Sequence, residues 1–247
     1  MSGNGRTGDG HGRLGSMLSG LAVAVGCVFF LGGFAWGAVV YKPYTVPTGS
    51  MTPTVQAGDR ILAQRIDGNE VHRGDVVVFT DPTWDANLPM VKRVVGIGGD
   101  RIACCGKDGR LTVNGKPIDE PYLHTKGPAS AEDFTAEVPK GKLFLLGDER
   151  TASLDSRVHL DEAGQGSVPR DAVQARVDAV AWPMNGMVDR PQAFASLPGG
   201  VSSPGPLWLQ LGAVLVGVVL ILCGAAYGPI VARSARNRRG KVPAGAR

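Results

Sequence analysis

Ser50 stands in the stretch VPTGSMTPT (46–54), a short and stiff piece of chain bracketed by Pro47 and Pro53. Proline fixes φ and glycine frees it, so such a segment can hold one hydroxyl open at a defined place. The same residues also make an ordinary turn. A serine becomes a nucleophile only beside a base that takes its proton, and the chain offers few. Of the four histidines, His11 lies before the first apolar run, and His72, His124 and His159 sit in polar, turn-like surroundings. The G-x-S-x-G elbow is absent, and position 53 is proline rather than the lysine of an S-x-x-K pair. Lys92 is the remaining candidate. It lies in MVKRVVGIGGD (90–100), where Met90, Val91, Val94 and Val95 surround it. Strand alternation puts Lys92 and Arg93 on opposite faces, so a half-buried strand turns one of them inward. Burial disfavours the ammonium form and lowers a lysine pKa, and a neutral amine can act as general base. A solvent-exposed strand lysine is the competing reading.

The elements that must position these groups divide the chain. Met17–Val40 carries no charge and exceeds the roughly 20 helical residues that a bilayer requires. Ala35-Trp36-Gly37 loosely resembles a leader cleavage site, but the apolar run is too long for a leader core of about 7–15 residues. An uncleaved anchor is therefore expected over 17–40. A second apolar run covers 207–231, and Arg233, Arg236, Arg238, Arg239, Lys241 and Arg247 follow it with no acid among them. That basic tail, 232–247, is read as a cytoplasmic topology signal rather than a nucleic-acid site, and Arg6 and Arg13 place the N-terminus on the same side. The mean hydropathy of +0.02 averages these two spans with an ordinary soluble middle. Gly33 and Gly37 form a small-xxx-small pair able to pack one span on the other.

The intervening segment, 41–183, reads as all-β. Runs at 60–66, 76–80, 90–97, 111–113, 142–147 and 173–182 are rich in β-branched and apolar residues, with Gly-Asp pairs at 58–59, 74–75 and 99–100 as turns. Asn114-Gly115 is a hairpin signal. The expected fold class is thus mostly β, an all-β domain outside the membrane flanked by one N-terminal and one C-terminal transmembrane helix. Residues 1–16 are expected as a disordered tail and 184–206, rich in Pro, Gly and Ser, as a linker. Cys27 and Cys223 lie in the spans. Cys104 and Cys105 are adjacent outside them, and the two-thiol form is expected because bridged Cα atoms usually lie about 4.4–6.8 Å apart, beyond the ~3.8 Å of trans neighbours. No zinc-ligand spacing is present.

Four segments, in order, carry a resemblance: PTGSMTPT (47–54), GDVVVF (74–79), VKRVVGIGGDRI (91–102) and LLGDERTASLDSR (145–157). Together they resemble the boxes of bacterial type I signal peptidases, over the first span and nearly all of the outer domain. The resemblance implies a Ser/Lys dyad with Ser50 as nucleophile and Lys92 as general base. It implies an oxyanion hole from the Thr48 hydroxyl and the Ser50 backbone N–H, and a hydrogen bond from Ser153 that orients the lysine amine. Asp155 and Arg157 would support the floor of the site, and Gly147, Asp148 and Arg150 its turn. Glu149 and Ala152 stand where the family often has Asn. Substrates would be secreted preproteins with small residues at −3 and −1, bound as an added strand against Met90 and Val91. No metal or organic cofactor is implied, and the expected location is the plasma membrane, multi-pass, with the catalytic domain on the extracytoplasmic face in contact with lipid. Two alternatives use the same residues: an inactive membrane-anchored β-domain that binds or scaffolds, and a Ser/Lys processing protease dedicated to few substrates.

Overall fold

The computed structural model describes residues 10–85, 88–106, 108–124 and 127–239, with side chains between 15 and 228. Residues 1–9 of the N-terminal tail, 240–247 of the basic tail and the side chains of its arginines lie outside that description. The chain forms two compact units: one holds the segments up to Val39 and from Pro206, the other residues 40–205.

The first unit is a pair of helices, α1 (Gly10–Val40) and, at the other end of the chain, α3 (Leu207–Arg239). Gly15–Val40 and Leu207–Gly228 are long and apolar enough to cross a membrane, with mean hydropathies of 2.1 and 2.4. Residues 10–16, expected in the disordered tail, are helical, since extending an existing helix costs far less than starting one. The helices run antiparallel, because Ser19 donates to the Gly224 carbonyl at 2.6 Å while Gly33 meets Val214. Small residues spaced by seven make this contact. A Cβ on Gly26 would stand 2.9 Å from the Gly217 carbonyl oxygen, and one on Gly33 would stand 2.8 Å from Val214. Gly37, expected to share the contact with Gly33, meets only the Gln210 amide oxygen. A seven-residue spacing stays on one helix face better than a spacing of four.

The second unit is β. Its main sheet contains β1 (Tyr41–Thr45), β2 (Arg60–Arg65), β3 (Val76–Phe79), and, after a single helical turn α2 (Pro82–Asp85), β4 (Met90–Ile97). A smaller sheet follows from β5 (Arg101–Cys104), β6 (Thr112–Val113), β7 (Lys116–Pro117) and β8 (Phe134–Glu137). The chain then returns to the main sheet through β9 (Lys142–Leu146), β10 (Val168–Pro169), β11 (Val173–Trp182) and β12 (Gly186–Met187). The main sheet runs β1-β2-β11-β3-β4-β9-β10 with β12 on β11, and the small sheet β7-β6-β5-β8. Asn114 and Gly115 adopt φ of 54° and 77° at the β6–β7 turn, the two positive angles that a type I′ hairpin requires.

Three buried clusters hold this unit together. One gathers Val46, Met51 and Val55 with Ile61, Val78, Val91 and Val177. A second gathers Val77, Phe79, Val94, Leu143 and Leu145. The third joins the small sheet to Phe144, Leu146, Phe194 and Leu197. Phe194 and Leu197 come from the stretch 184–206 expected as a linker, which instead packs onto the domain. Val188 and Ser202 are buried there too, and Arg190 pairs with the buried Asp178. Its Pro, Gly and Ser content conceals a few large apolar side chains, each worth about 1.5–3 kcal/mol when buried. Cys104 and Cys105 are joined as a disulfide across a cis peptide, with Cα atoms 2.9 Å apart. The two-thiol expectation assumed a trans link.

Candidate active site

Ser50 lies in the loop 46–59 that connects β1 to β2, inside a turn closed by the Thr52 N–H donating to the Gly49 carbonyl at 3.0 Å. The turn is pinned from below: Val46, Met51 and Val55 are buried in one cluster, and the Val46 N–H donates to the Asp59 carbonyl at 2.9 Å. Apolar anchors on both sides hold the backbone of the partly exposed Ser50 in place. Thr48 is exposed, with Oγ1 3.4 Å from Ser50 Oγ.

Lys92 reaches the same hydroxyl. On β4 it pairs with Val77 of β3, and its Nζ donates to Ser50 Oγ at 2.8 Å. It is 6% exposed. Burial is the largest influence on its amine and holds the pKa below the ordinary lysine value; the charges of Asp155 and Asp148 oppose this and that of Arg157 adds to it. The half-buried strand expected for 90–97 is instead covered on both faces. Val91 and Val94 belong to different clusters, and Arg93, at 1% exposure, is as deeply placed as Lys92. Both cations therefore point inward, on opposite sides.

The turn 147–150 after β9 closes the site. The Glu149 N–H donates to the Ser50 carbonyl at 3.1 Å, and the Gly147 N–H donates to Asp155 Oδ2 at 2.9 Å. Asp155 in turn accepts from Arg157 Nε and Nη2, both at 2.8 Å. Gly147 has no room for a side chain: a Cβ would stand 2.5 Å from the Ser50 carbonyl oxygen and nearer still to the Ser153 hydroxyl. Because Glu149 holds Ser50 through its backbone, its departure from Asn leaves that contact untouched. Its carboxylate accepts from Thr151 at 2.6 Å.

Asp148 is gripped by Arg93, whose Nε and Nη2 donate at 2.8 and 2.7 Å, and accepts from Thr54 at 2.5 Å. Arg150 donates to the Gly147 carbonyl at 3.1 Å. Its guanidinium also forks onto Glu120 at 2.8 and 2.5 Å. Ser153 is buried, but its Oγ has no hydrogen-bond partner, so the bond to the Lys92 amine implied by the resemblance is not made here. Met90 and Val91 pair with Phe79 and Val78 of β3. The β4–β9 ladder begins only at Arg93, opposite Leu146. His72 and His159 are engaged elsewhere, with the Glu70 carbonyl and with Glu162. Among the described residues no cluster of three or more His, Cys, Asp or Glu could hold a metal.

Sequence reasoning did not find Arg93, Thr54, Glu120 or Tyr122. Adjacency to Lys92 flagged Arg93 as a buried alternative to it, not a companion. The other three sit in polar turns whose partners lie far along the chain, and no local pattern marks them.

Comparison with known proteins gives a consistent result. The sequence profile of a family described as "Signal peptidase, peptidase S26" matches residues 16–182. Signal peptidase I U of Bacillus subtilis is 35% identical over 158 residues, 60% of this chain and 80% of that protein. Signal peptidase IB of Staphylococcus aureus is 33% identical over 183 residues, 67% of this chain and 87% of that protein. Probable signal peptidase I of Mycobacterium leprae is 30% identical over 201 residues, 58% of this chain and 69% of that protein. The matched span includes Ser50, Lys92 and the 147–157 turn.

Proposed function

Because the chain belongs to the signal peptidase family, peptidase S26, and is on that ground a serine peptidase, we propose that it removes N-terminal signal peptides from secreted preproteins by a Ser50/Lys92 dyad. The observation that carries this reading is the 2.8 Å contact between Lys92 Nζ and Ser50 Oγ, made by an amine whose pKa burial has lowered. In the reaction, neutral Lys92 takes the Oγ proton as Ser50 attacks the scissile carbonyl. The Lys92 ammonium then protonates the leaving amine, which releases the mature protein. An acyl ester remains on Ser50, and a water that gives its proton to Lys92 hydrolyses it. Thr48 Oγ1 and the Ser50 N–H would donate to the oxyanion of each tetrahedral intermediate.

The leader would bind in extended form beside Met90 and Val91, where β4 has not yet met β9 and strand addition can supply the missing hydrogen bonds. Small residues at −3 and −1 would face the domain. α1 and α3 would anchor the enzyme in the plasma membrane with both termini cytoplasmic and residues 41–205 outside, as the flanking arginines favour.

Purified enzyme in detergent should cut a secreted preprotein once, at the leader junction, as read from the mass of the mature product. Its kcat/KM should rise with pH, because only the neutral lysine is a base. The rise should be centred below the ordinary lysine value of about 10.4. No cleavage, or cleavage indifferent to pH across that limb, would sink the reading. A second expectation concerns Gly147. Gly147→Ala must push aside either the Ser50 carbonyl or Ser153, and a displacement near 1 Å can cost on the order of 10²-fold in rate. Single-turnover rates of the folded variant check it; a wild-type rate would show that the turn yields freely.

A further inference from the structure

Glu120 and Tyr122 lie outside the four segments that resemble the family. They sit on the loop that follows β7 of the small sheet, far along the chain from the 147–150 turn. Yet the loop touches both sides of the turn that holds Ser50. The Glu120 carboxylate takes the fork of Arg150, and the pair is almost dry, at 6% and 2% side-chain exposure. The remaining Nε–H of Arg150 goes to the Gly147 carbonyl. Tyr122 donates its hydroxyl to Glu120 at 2.5 Å. Its ring lies 4.0 Å from the Arg93 guanidinium carbon, and Arg93 grips Asp148 through two nitrogens.

We propose that Glu120 and Tyr122 are positioning residues, by which the small sheet clamps the 147–150 turn and so fixes the Ser50 carbonyl for catalysis. The path is continuous. Glu120 fixes Arg150, which fixes Gly147. Tyr122 fixes Arg93, which fixes Asp148. The Glu149 N–H, carried between Asp148 and Arg150, holds Ser50. Bidentate arginine–carboxylate pairs set direction as well as distance, and a guanidinium packed on an aromatic face is attracted to it and sterically confined. Without the clamp, the turn would keep its connection to β9 and to Asp155 but lose its lateral constraint. Neither residue touches the reacting atoms, so the effect belongs on turnover rather than on substrate affinity. The small sheet thus serves the reaction from a distance.

This inference rests on the peptidase reading, and its test separates the two. Glu120→Gln keeps the size but offers Arg150 a single acceptor oxygen. Measured per folded molecule, its kcat on a preprotein should fall by about 10²-fold, the cost of a misplacement near 1 Å, with KM within about threefold. Glu120→Asp, which keeps the carboxylate, should recover part of the loss. Hydrogen exchange reads the clamp without any substrate: in Glu120→Gln the Glu149 amide should exchange faster while the β9 amides stay protected. Should Glu120→Gln not fold, Tyr122→Phe removes only the hydroxyl, and a fall of about tenfold is expected, as for one hydrogen bond to a charged group. A kcat within twofold of wild type, or unchanged Glu149 exchange, overturns the clamp. A wild-type enzyme that cuts no preprotein instead overturns the peptidase reading and leaves the exchange result standing.

Discussion

Ser50→Ala and Lys92→Ala should each abolish preprotein processing, with losses on the order of 10⁴–10⁶ in kcat, the range seen when one member of a catalytic unit is removed. Ser50→Ala deletes one oxygen from a partly exposed position, so the fold should be unaffected. Lys92→Ala empties a buried site on a central strand and could loosen the sheet. Lys92→Met, similar in length but without a titratable amine, separates the two effects: it should be folded and equally inactive. The double variant Ser50→Ala/Lys92→Met should be no slower than the worse single one, because a nucleophile without its base and a base without its nucleophile fail at the same step. Single-turnover assays with thermal unfolding alongside decide this. Wild-type-like cleavage by any single variant would remove the dyad from consideration, and additive losses would mean that the two residues act separately.

Replacing Thr48 by valine should cost about 10²–10³ in kcat, as loss of one oxyanion donor does elsewhere, and KM should change far less. Valine keeps the β-branched shape and the methyl contacts but deletes the hydroxyl, which lies 3.4 Å from Ser50 Oγ. Thr48→Ser returns the hydroxyl without the methyl and should restore most of the rate. If Thr48 were only a turn residue, the order would reverse, with valine harmless and serine slightly looser. Thr48 is exposed, so no cavity or lost burial confuses the comparison. Rates of the two variants on one preprotein settle it.

The long, apolar or chemically marked parts of this molecule were legible in its sequence. β4 and β11 coincide with the runs expected at 90–97 and 173–182, and the Asn114-Gly115 hairpin has the backbone angles expected of it. The short strands β7, β10 and β12 were not legible, because two residues carry no periodicity and form only against a partner already in place. Period-two reasoning assumes that one face of a strand meets water. On β4 neither does, which hid Arg93 behind Lys92. The same limit applied to 184–206, where Phe194 and Leu197 are core residues dispersed among turn formers. Ser50 and Lys92 were paired by the resemblance of four ordered segments, since a strand lysine taken alone reads as exposed. The supporting contacts of Glu120 and Tyr122 were invisible, since ordinary polar residues acquire a role only when distant turns converge.

β11 has a consequence that concerns time rather than space. Ser50 is borne by the connection between β1 and β2, and Lys92 by β4. In the sheet β11 stands between these two halves, pairing β2 on one side and β3 on the other. The joint is made from residues 173–182, while the two strands that it pairs directly end at Arg65 and Phe79. A nascent chain that has presented everything up to Arg170 carries both Ser50 and Lys92 but no ladder linking their two half-sheets, and non-local pairing of this kind is slow to form. On the proposed dyad, the enzyme should therefore show no activity until this strand is in place. Its hydroxyl and amine meet only after the penultimate stretch of the domain has emerged, by which point the chain has moved well past its own first apolar segment; assaying translation-arrested chains of increasing length would date the moment.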